Sequence, residues 1–353
     1  MAVDKRLEEL LDIVVSQNGS DLHVFAGGAP TIRVAGSLIP ITKHQPFTAD
    51  ETEAMLKSIV PPDRWDVFKE SQAIDLSYAH KDKSRFRVNG YRSQGTAALA
   101  LRLIPQAIHS FAELNLPSVL EVFLQRKQGF FLVVGPVGQG KSTTLAAMIE
   151  RINETRAEHI LTIEDPIEYL FTPKKSLIHQ REVYVDTPDF HYALQNSFRE
   201  DVDVIMVGEM RDYETISSAV TAAETGHLIL STLHTNNAAQ TIDRIIDMFP
   251  AEQQGQVRVQ LTGSLAGIFS QRLVPRIAGG LIPACELLIN NNAVSTLIRE
   301  GRTHEISAVI QTSSQEGMID MDRSLAELVQ RGEVTIEHGY EHAMDPKTFE
   351  GYL

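Results

Sequence analysis

The eight residues Gly135-Pro136-Val137-Gly138-Gln139-Gly140-Lys141-Ser142 constrain this chain more than any other stretch. They read G-x-x-x-x-G-K-S, the phosphate-binding P-loop. Residues 130–134, just before it, are all apolar and mostly β-formers, the pattern of a strand buried on both faces. After it, Leu145, Met148, Ile149 and Ile152 fall at i, i+3, i+4 and i+7, the period of a helix. The loop thus joins a buried strand to a helix N-terminus, the setting the motif requires. Glycines there let the backbone approach phosphate oxygens, and amide N–H groups with the helix dipole supply positive potential. Lys141 adds a point charge at the β- and γ-phosphates, and Ser142 can ligate Mg2+. An ordinary Gly-rich strand–helix turn leaves the Lys-Ser pair unexplained, so nucleotide binding is the expectation.

With 353 residues the chain has room for two domains. No run approaches the roughly 18 apolar residues of a membrane span, and residues 1–10 are charged, with no apolar signal-peptide core. The single cysteine, Cys285, excludes an internal disulfide and sits in an apolar stretch, as a small core residue does. These features point to the cytoplasm. The net charge is −14, from 32 basic and 46 acidic residues, and no Lys/Arg run exceeds Lys174-Lys175. Nucleic-acid binding rests on basic stripes, so this balance argues against a nucleic-acid partner.

Before the loop, the pattern predicts a small α+β domain over residues 1–104. A helix spans 5–17, with Leu7, Leu10, Leu11, Val14 and Val15 on one stripe. Strands follow at 20–25 and 31–34, then a helix at 50–59 stopped by Pro61-Pro62, then strands at 73–79, 85–91 and 97–103. In the last two strands Phe86 and Val88 share one face while Arg85, Arg87 and Asn89 share the other. Leu99, Leu101 and Leu103 likewise oppose Arg102. Solvated arginines on a one-sided apolar sheet account for that alternation. Residues 105–117, with Pro105 and Pro117, read as a linker.

Residues 118–353 read as α/β: a P-loop domain with a largely parallel core sheet. Strands are expected at 130–134, 159–163, 204–207 and 228–232. Thr187 and Pro188 read as the N-cap and first residue of one helix, and Asp212 as the cap of another that Gly226 closes. Past Asp247 the chain reads as mostly helical, apart from an apolar strand at 281–289.

In such sheets ligands sit at the carboxyl ends of the strands. Three strand ends here carry acids or a histidine. Glu209 follows an apolar run and would hold Mg2+ directly or through water, as a Walker B acid does. Glu164 is placed to orient the water attacking the γ-phosphate, and His234 to sense that phosphate. His227 follows Gly226 and can equally be a helix cap. Near the C-terminus, His338-Gly339-Tyr340-Glu341-His342 matches the H-x-x-E-H zinc pattern, but in a polar stretch and with a glycine inside it.

Together these elements resemble a family. Gly135 to Thr143, Thr162 to Tyr169, Val207 to Asp212 and Thr225 to Thr235 are similar, in order, to the Walker A, Asp box, Walker B and His box of the secretion and type IV pilus ATPases. Ser20-Asp21-Leu22-His23 and Arg85-Phe86-Arg87-Val88-Asn89 are similar to the N-terminal domain of that family. Ala293-Val294-Ser295-Thr296-Leu297-Ile298-Arg299-Glu300 resembles the A-I-R-N-L-I-R-E element of its retraction branch, and a four-cysteine zinc motif is absent.

The resemblance implies a RecA-like domain preceded by a PAS-like domain, working as a homo-hexameric ATPase with ATP and Mg2+. It implies a site between subunits, to which Arg87 and Arg102 are candidate phosphate-reaching arginines and Thr143 part of the nucleotide cradle. Arg199, Arg211 and Arg272 match further family arginines by position. The work implied is pilus disassembly and twitching motility. Its partners would be an inner-membrane, PilC-like platform protein at the pilus base and a paralogous retraction ATPase. Three residues depart from the pattern: Gln139 for Ser, Gln195 for Arg and Ser295 for Arg. The last two leave open an accessory retraction motor. A RecA-like nucleic-acid translocase would show ATPase stimulation by single strands that falls with salt; a non-catalytic nucleotide switch would release no phosphate.

Overall fold

The computed structural model describes residues 3–81, 84–104 and 107–353. Pro105 and Gln106, the first two positions of the expected linker, lie outside the described residues, as do Met1, Ala2, Asp82 and Lys83. The chain divides into two compact units, one of Met1–Ala107 with Pro166–Leu170, the other of Ile108–Asp165 with Phe171–Leu353.

The first unit runs α1 (Lys5–Ser16), β1 (Asp21–Val24), β2 (Thr31–Val34), β3 (Ser37–Pro40), α2 (Ala49–Ile59), α3 (Pro62–Ser71), β4 (Ala73–His80), β5 (Ser84–Ser93) and β6 (Thr96–Ile104). Among the described residues its strands form an antiparallel sheet in the order β3-β2-β1-β6-β5-β4. Leu7, Leu10, Leu11 and Val14 of α1 pack with Phe86, Val88, Leu99 and Leu101 in one core. The helix stripe is narrower than expected, because Val15 is exposed. Pro62 does not only stop a helix. It begins α3 at the first helical position, where a missing N–H costs nothing. The short β3, exposed at all four residues, carries no burial pattern to read.

The second unit runs α4 (Glu121–Leu124), β7 (Gly129–Val134), α5 (Lys141–Thr155), β8 (His159–Glu164), β9 (Leu177–Glu182), α6 (Phe190–Ser197), β10 (Val204–Val207), α7 (Tyr213–Glu224), β11 (Leu228–Leu233), α8 (Ala238–Asp247) and α9 (Ala251–Ser264). It continues through β12 (Leu265–Pro275), β13 (Leu281–Ile289), α10 (Asn292–Glu300), α11 (Ile306–Thr312), α12 (Met321–Gln330), α13 (Ile336–His342) and α14 (Pro346–Tyr352). The sheet order is β13-β12-β7-β11-β10-β8-β9, parallel except for β13 against β12. The α/β class is as expected from the buried runs.

Two expectations are corrected here. The cap of α6 is Asp189, whose carboxylate accepts the Tyr192 N–H, rather than Thr187. The region past Asp247, expected to be mostly helical, holds a long strand, β12. Burial on both faces removes the two-residue period that marks a strand. Its Gly267 sits at a register shift against β7. A Cβ there would stand 2.7 Å from the Leu288 carbonyl and 2.8 Å from the Phe123 ring. Cys285 on β13 is a core residue, and burial pushes its thiol up to about 12. The H-x-x-E-H stretch forms α13. There His338 pairs with Glu341 at 3.0 Å, and His342 Nδ1 lies 2.9 Å from the His338 carbonyl, so its nitrogens serve the helix.

Candidate nucleotide site

Strand β7 is buried at every residue and delivers the chain into the loop at Gly135. Gly135, Gly138 and Gly140 have φ of 148°, 78° and 77°, the region that favours glycine. Gly140 then caps α5, and Lys141 is its first residue. Lys141 is 7% exposed, and its ammonium donates to the carbonyls of Gly135 and Pro136, each at 2.8 Å. The loop is thereby folded back over its own lysine, with the α5 N-terminus beneath it. Val137 at the loop crest is exposed.

The adjacent order β7, β11, β10, β8 sets the ends of four parallel strands side by side. His234 follows β11, Glu209 follows β10 by two residues, and Glu164 ends β8. His234 Nδ1 lies 3.2 Å from Lys141 Nζ and its Nε2 3.8 Å from Glu209 Oε2. Glu209 also pairs with Arg211, which reaches Asp165 at 3.6 Å. Glu164 is buried. Its Oε1 accepts from the Thr162 hydroxyl at 2.6 Å and from Gln180 Nε2 at 3.2 Å, which fixes the carboxylate at the strand end. Lys141, His234, Glu209 and Arg211 therefore form one linked chain of polar contacts.

The imidazole of His234 is held below its ordinary range, first by burial and then by the Lys141 charge, with Glu209 pulling the other way. His227 bonds Ala222 O through both its backbone N–H and Nδ1, so it caps α7. Arg199 is exposed, and Arg272 donates to the His342 carbonyl at 2.8 Å.

Arg87 and Arg102 belong to the first unit, and the structure makes them direct cross-strand neighbours on β5 and β6. Arg102 is bonded to Asp21 on β1 at 2.9 Å, and Arg87 lies 3.6 Å from Glu168, in the Pro166–Leu170 segment.

Sequence reading missed the residues that secure the His234 loop. The Ser270 hydroxyl of β12 donates to the Asn236 carbonyl at 2.9 Å. Glu286, its register partner on β13, accepts the Ala238 N–H at 2.7 Å. Burial pushes this carboxyl up to about 7. An acid inside an otherwise apolar strand, Ala284 to Ile289, was the available signal.

Nucleotide and Mg2+ fit these groups in different ways. Positive-φ glycines before a helix N-terminus make a phosphate cradle. Mg2+ on a nucleotide takes one or two protein oxygens beside phosphates and waters, and Ser142 with Glu209 can supply them. Among the described residues no group of three or more His, Cys, Asp or Glu forms a cage of its own.

Residues 2–344 match the Type II/IV secretion system protein family. The type IV pilus retraction ATPase PilT of Pseudomonas aeruginosa is 43% identical over 343 residues, covering 97% of this chain and 99% of that protein. The type IV pilus ATPase PilU of the same organism is 39% identical over 337 residues, 95% of this chain and 88% of that one. Among solved structures, the pilus retraction motor PilT with bound ADP aligns with a TM-score of 0.90 at 43% identity, over 98% of this chain and 99% of that one.

Proposed function

The chain belongs to the Type II/IV secretion system protein family, and from that membership we propose that it is an ATPase that drives retraction of type IV pili and so powers twitching motility. The observation that carries this reading is the length of the similarity: 97% of the chain aligns with a retraction ATPase at 43% identity. The nucleotide site supports it, since the P-loop, two strand-end acids and His234 all stand at the carboxyl ends of adjacent strands of one sheet.

In this reading the P-loop from Gly135 to Thr143 binds the phosphates through backbone amides, and Lys141 leaves its carbonyl partners to meet the β- and γ-phosphates. Ser142 and Glu209 are the residues that would hold Mg2+, whose charge offsets charge developing on the phosphoryl oxygens. Glu164, fixed by Thr162, orients the attacking water. His234 reads the γ-phosphate and relays its state to the Glu209–Arg211 pair. Arg87 or Arg102 reaches the phosphates from a neighbouring subunit of a homo-hexamer. The ring acts at the cytoplasmic face of the inner membrane, on a platform protein at the pilus base, alongside a paralogous retraction ATPase. No nucleic-acid partner is expected.

Gln195 and Ser295 favour a second reading, an accessory retraction motor like PilU. The identity of 43% to PilT against 39% to PilU ranks it second. Replacing Lys141 by Ala tests the enzyme: ATP hydrolysis should vanish while the thermal midpoint holds, and unchanged turnover would sink the proposal. Deleting the gene tests the role. Surface pili in excess without twitching are expected for the main motor, and twitching at parental strength would exclude it.

A further inference from the structure

Strand β12 passes beside the P-loop, and several of its groups grip that loop from outside. Gln271 is 3% exposed and uses both ends of its amide. Its Nε2 donates to the Gln139 carbonyl at 2.7 Å, and its Oε1 accepts from the Thr144 hydroxyl at 2.7 Å. The carbonyl can only accept, which fixes the orientation of the amide. Two residues on, the Leu273 N–H donates to Oε1 of Gln139 at 2.6 Å. The backbone also closes in. A Cβ at Gly135 would stand 2.5 Å from the Gln271 carbonyl, and one at Gly140 would stand 3.0 Å from Gln271 Nε2. The start of the loop, its Gln139 segment and the first turn of α5 thus all rest on β12.

The loop needs such support. Three of its residues are glycines at positive φ, and glycine has the largest backbone freedom of any residue. A loop free to leave its receiving form binds more weakly, in proportion to the fraction of molecules that hold that form. Order supplied by folding is order that binding need not supply.

We propose that Gln271 is a positioning residue that holds the P-loop in its phosphate-receiving form, with the Gln139 side chain as a second fastening. The inference rests on the ATPase reading for what the loop receives. Gln271 acts through the Gln139 carbonyl and Thr144, not on phosphate itself. The Gln at position 139 acquires a use on this account: its side chain reaches across to the strand, and a serine there is too short to do so.

Gln271→Met tests this, because it keeps length and volume while removing both hydrogen bonds. ADP binding by calorimetry is measured apart from steady-state hydrolysis. The dissociation constant for ADP and the KM for ATP should rise together, roughly three- to tenfold, with kcat within about twofold, as for lost uniform binding. Gln139→Ser should shift both constants the same way by less. The double variant should fall short of the product of the two, since both side chains fasten one loop. ADP affinity unchanged in folded Gln271→Met overturns the proposal. So does a lower thermal midpoint with KM unchanged, which marks a purely structural role, or a kcat loss at unchanged affinity. If Gln271→Met does not fold, unchanged ADP affinity in Gln139→Ser overturns it instead. A parent protein that binds ADP but never hydrolyses ATP would defeat the motor reading while leaving the ADP comparison decisive for Gln271.

Discussion

His234 stands just past the end of β11, between Lys141 and Glu209. Its contact with Lys141, 3.2 Å away but 93 residues apart, depends on β11 lying beside β7, which no local pattern states. An ammonium has no lone pair, so Nδ1 must be the acceptor and the proton sits on Nε2, toward Glu209. Burial and the Lys141 charge both disfavour a second proton. The sign follows: with the folded pKa below the unfolded one, the contribution to stability is present above about 6.5 and is lost as pH falls through the folded value. An NMR titration of the nucleotide-free protein should place the His234 midpoint below about 6.5, and a midpoint at or above that value would show that burial and the Lys141 charge do not depress it. Glu164 and Glu209 were readable for the same reason as His234, each following a short apolar run. Gln180, which holds Glu164 from the neighbouring strand β9, was not, because that pairing of strands is not written in either one; Thr162 sits two residues before Glu164 on β8 itself, on the same face.

At the scale of elements, legibility followed periodicity. The β7–loop–α5 unit was readable because a buried run, three glycines and a 3.6-residue stripe meet in 25 or so residues. Strand β12 was not, since burial on both faces hides its period, and with it went Ser270, Gln271 and the bracing of both site loops. Helix α13 shows the opposite error that a motif invites. Its H-x-x-E-H spacing suits zinc, yet Gly339 exists for packing: a Cβ there would run into the ring of Phe349, which is fully buried and stacks edge-on with Tyr340 at 5.0 Å. That contact closes a small core of α12, α14 and β12 residues, among them Val274, Met321 and Leu325. Gly339→Ala should therefore cost about 1–3 kcal/mol of stability through overpacking, in spite of alanine's better helix propensity. Chemical denaturation would check it, and a variant as stable as the parent or more so would show that the Phe349 ring can yield. Chelators should leave the unfolding curve where it is.

For the whole molecule the open question is how the site is completed, and the two arginines bear on it. Arg87 and Arg102 face each other directly across β5 and β6, and like charges so placed are destabilising. Asp21 beside Arg102 and Glu168 beside Arg87 offset part of that cost, yet Arg102 keeps a side chain 71% exposed. Two guanidiniums side by side on one sheet face suit a surface that meets phosphate. If that phosphate sits on the P-loop of the next subunit in a ring, the contact is heterologous, with a different surface on each side. Arg102→Ala should then keep ADP affinity while losing roughly 10³-fold or more in turnover, the scale of a missing arginine finger. The sharper test mixes two dead proteins. Lys141→Ala subunits still carry Arg102, and Arg102→Ala subunits still carry Lys141. In a one-to-one mixed ring about a quarter of interfaces join an intact P-loop to an intact arginine, so activity should reappear on mixing. A mixture as inactive as its components would place the arginine in the same chain as the loop it serves, or remove it from the reaction. The same exchange with Arg87→Ala then separates the two arginines, because only the one that reaches the phosphates can be rescued by a neighbour.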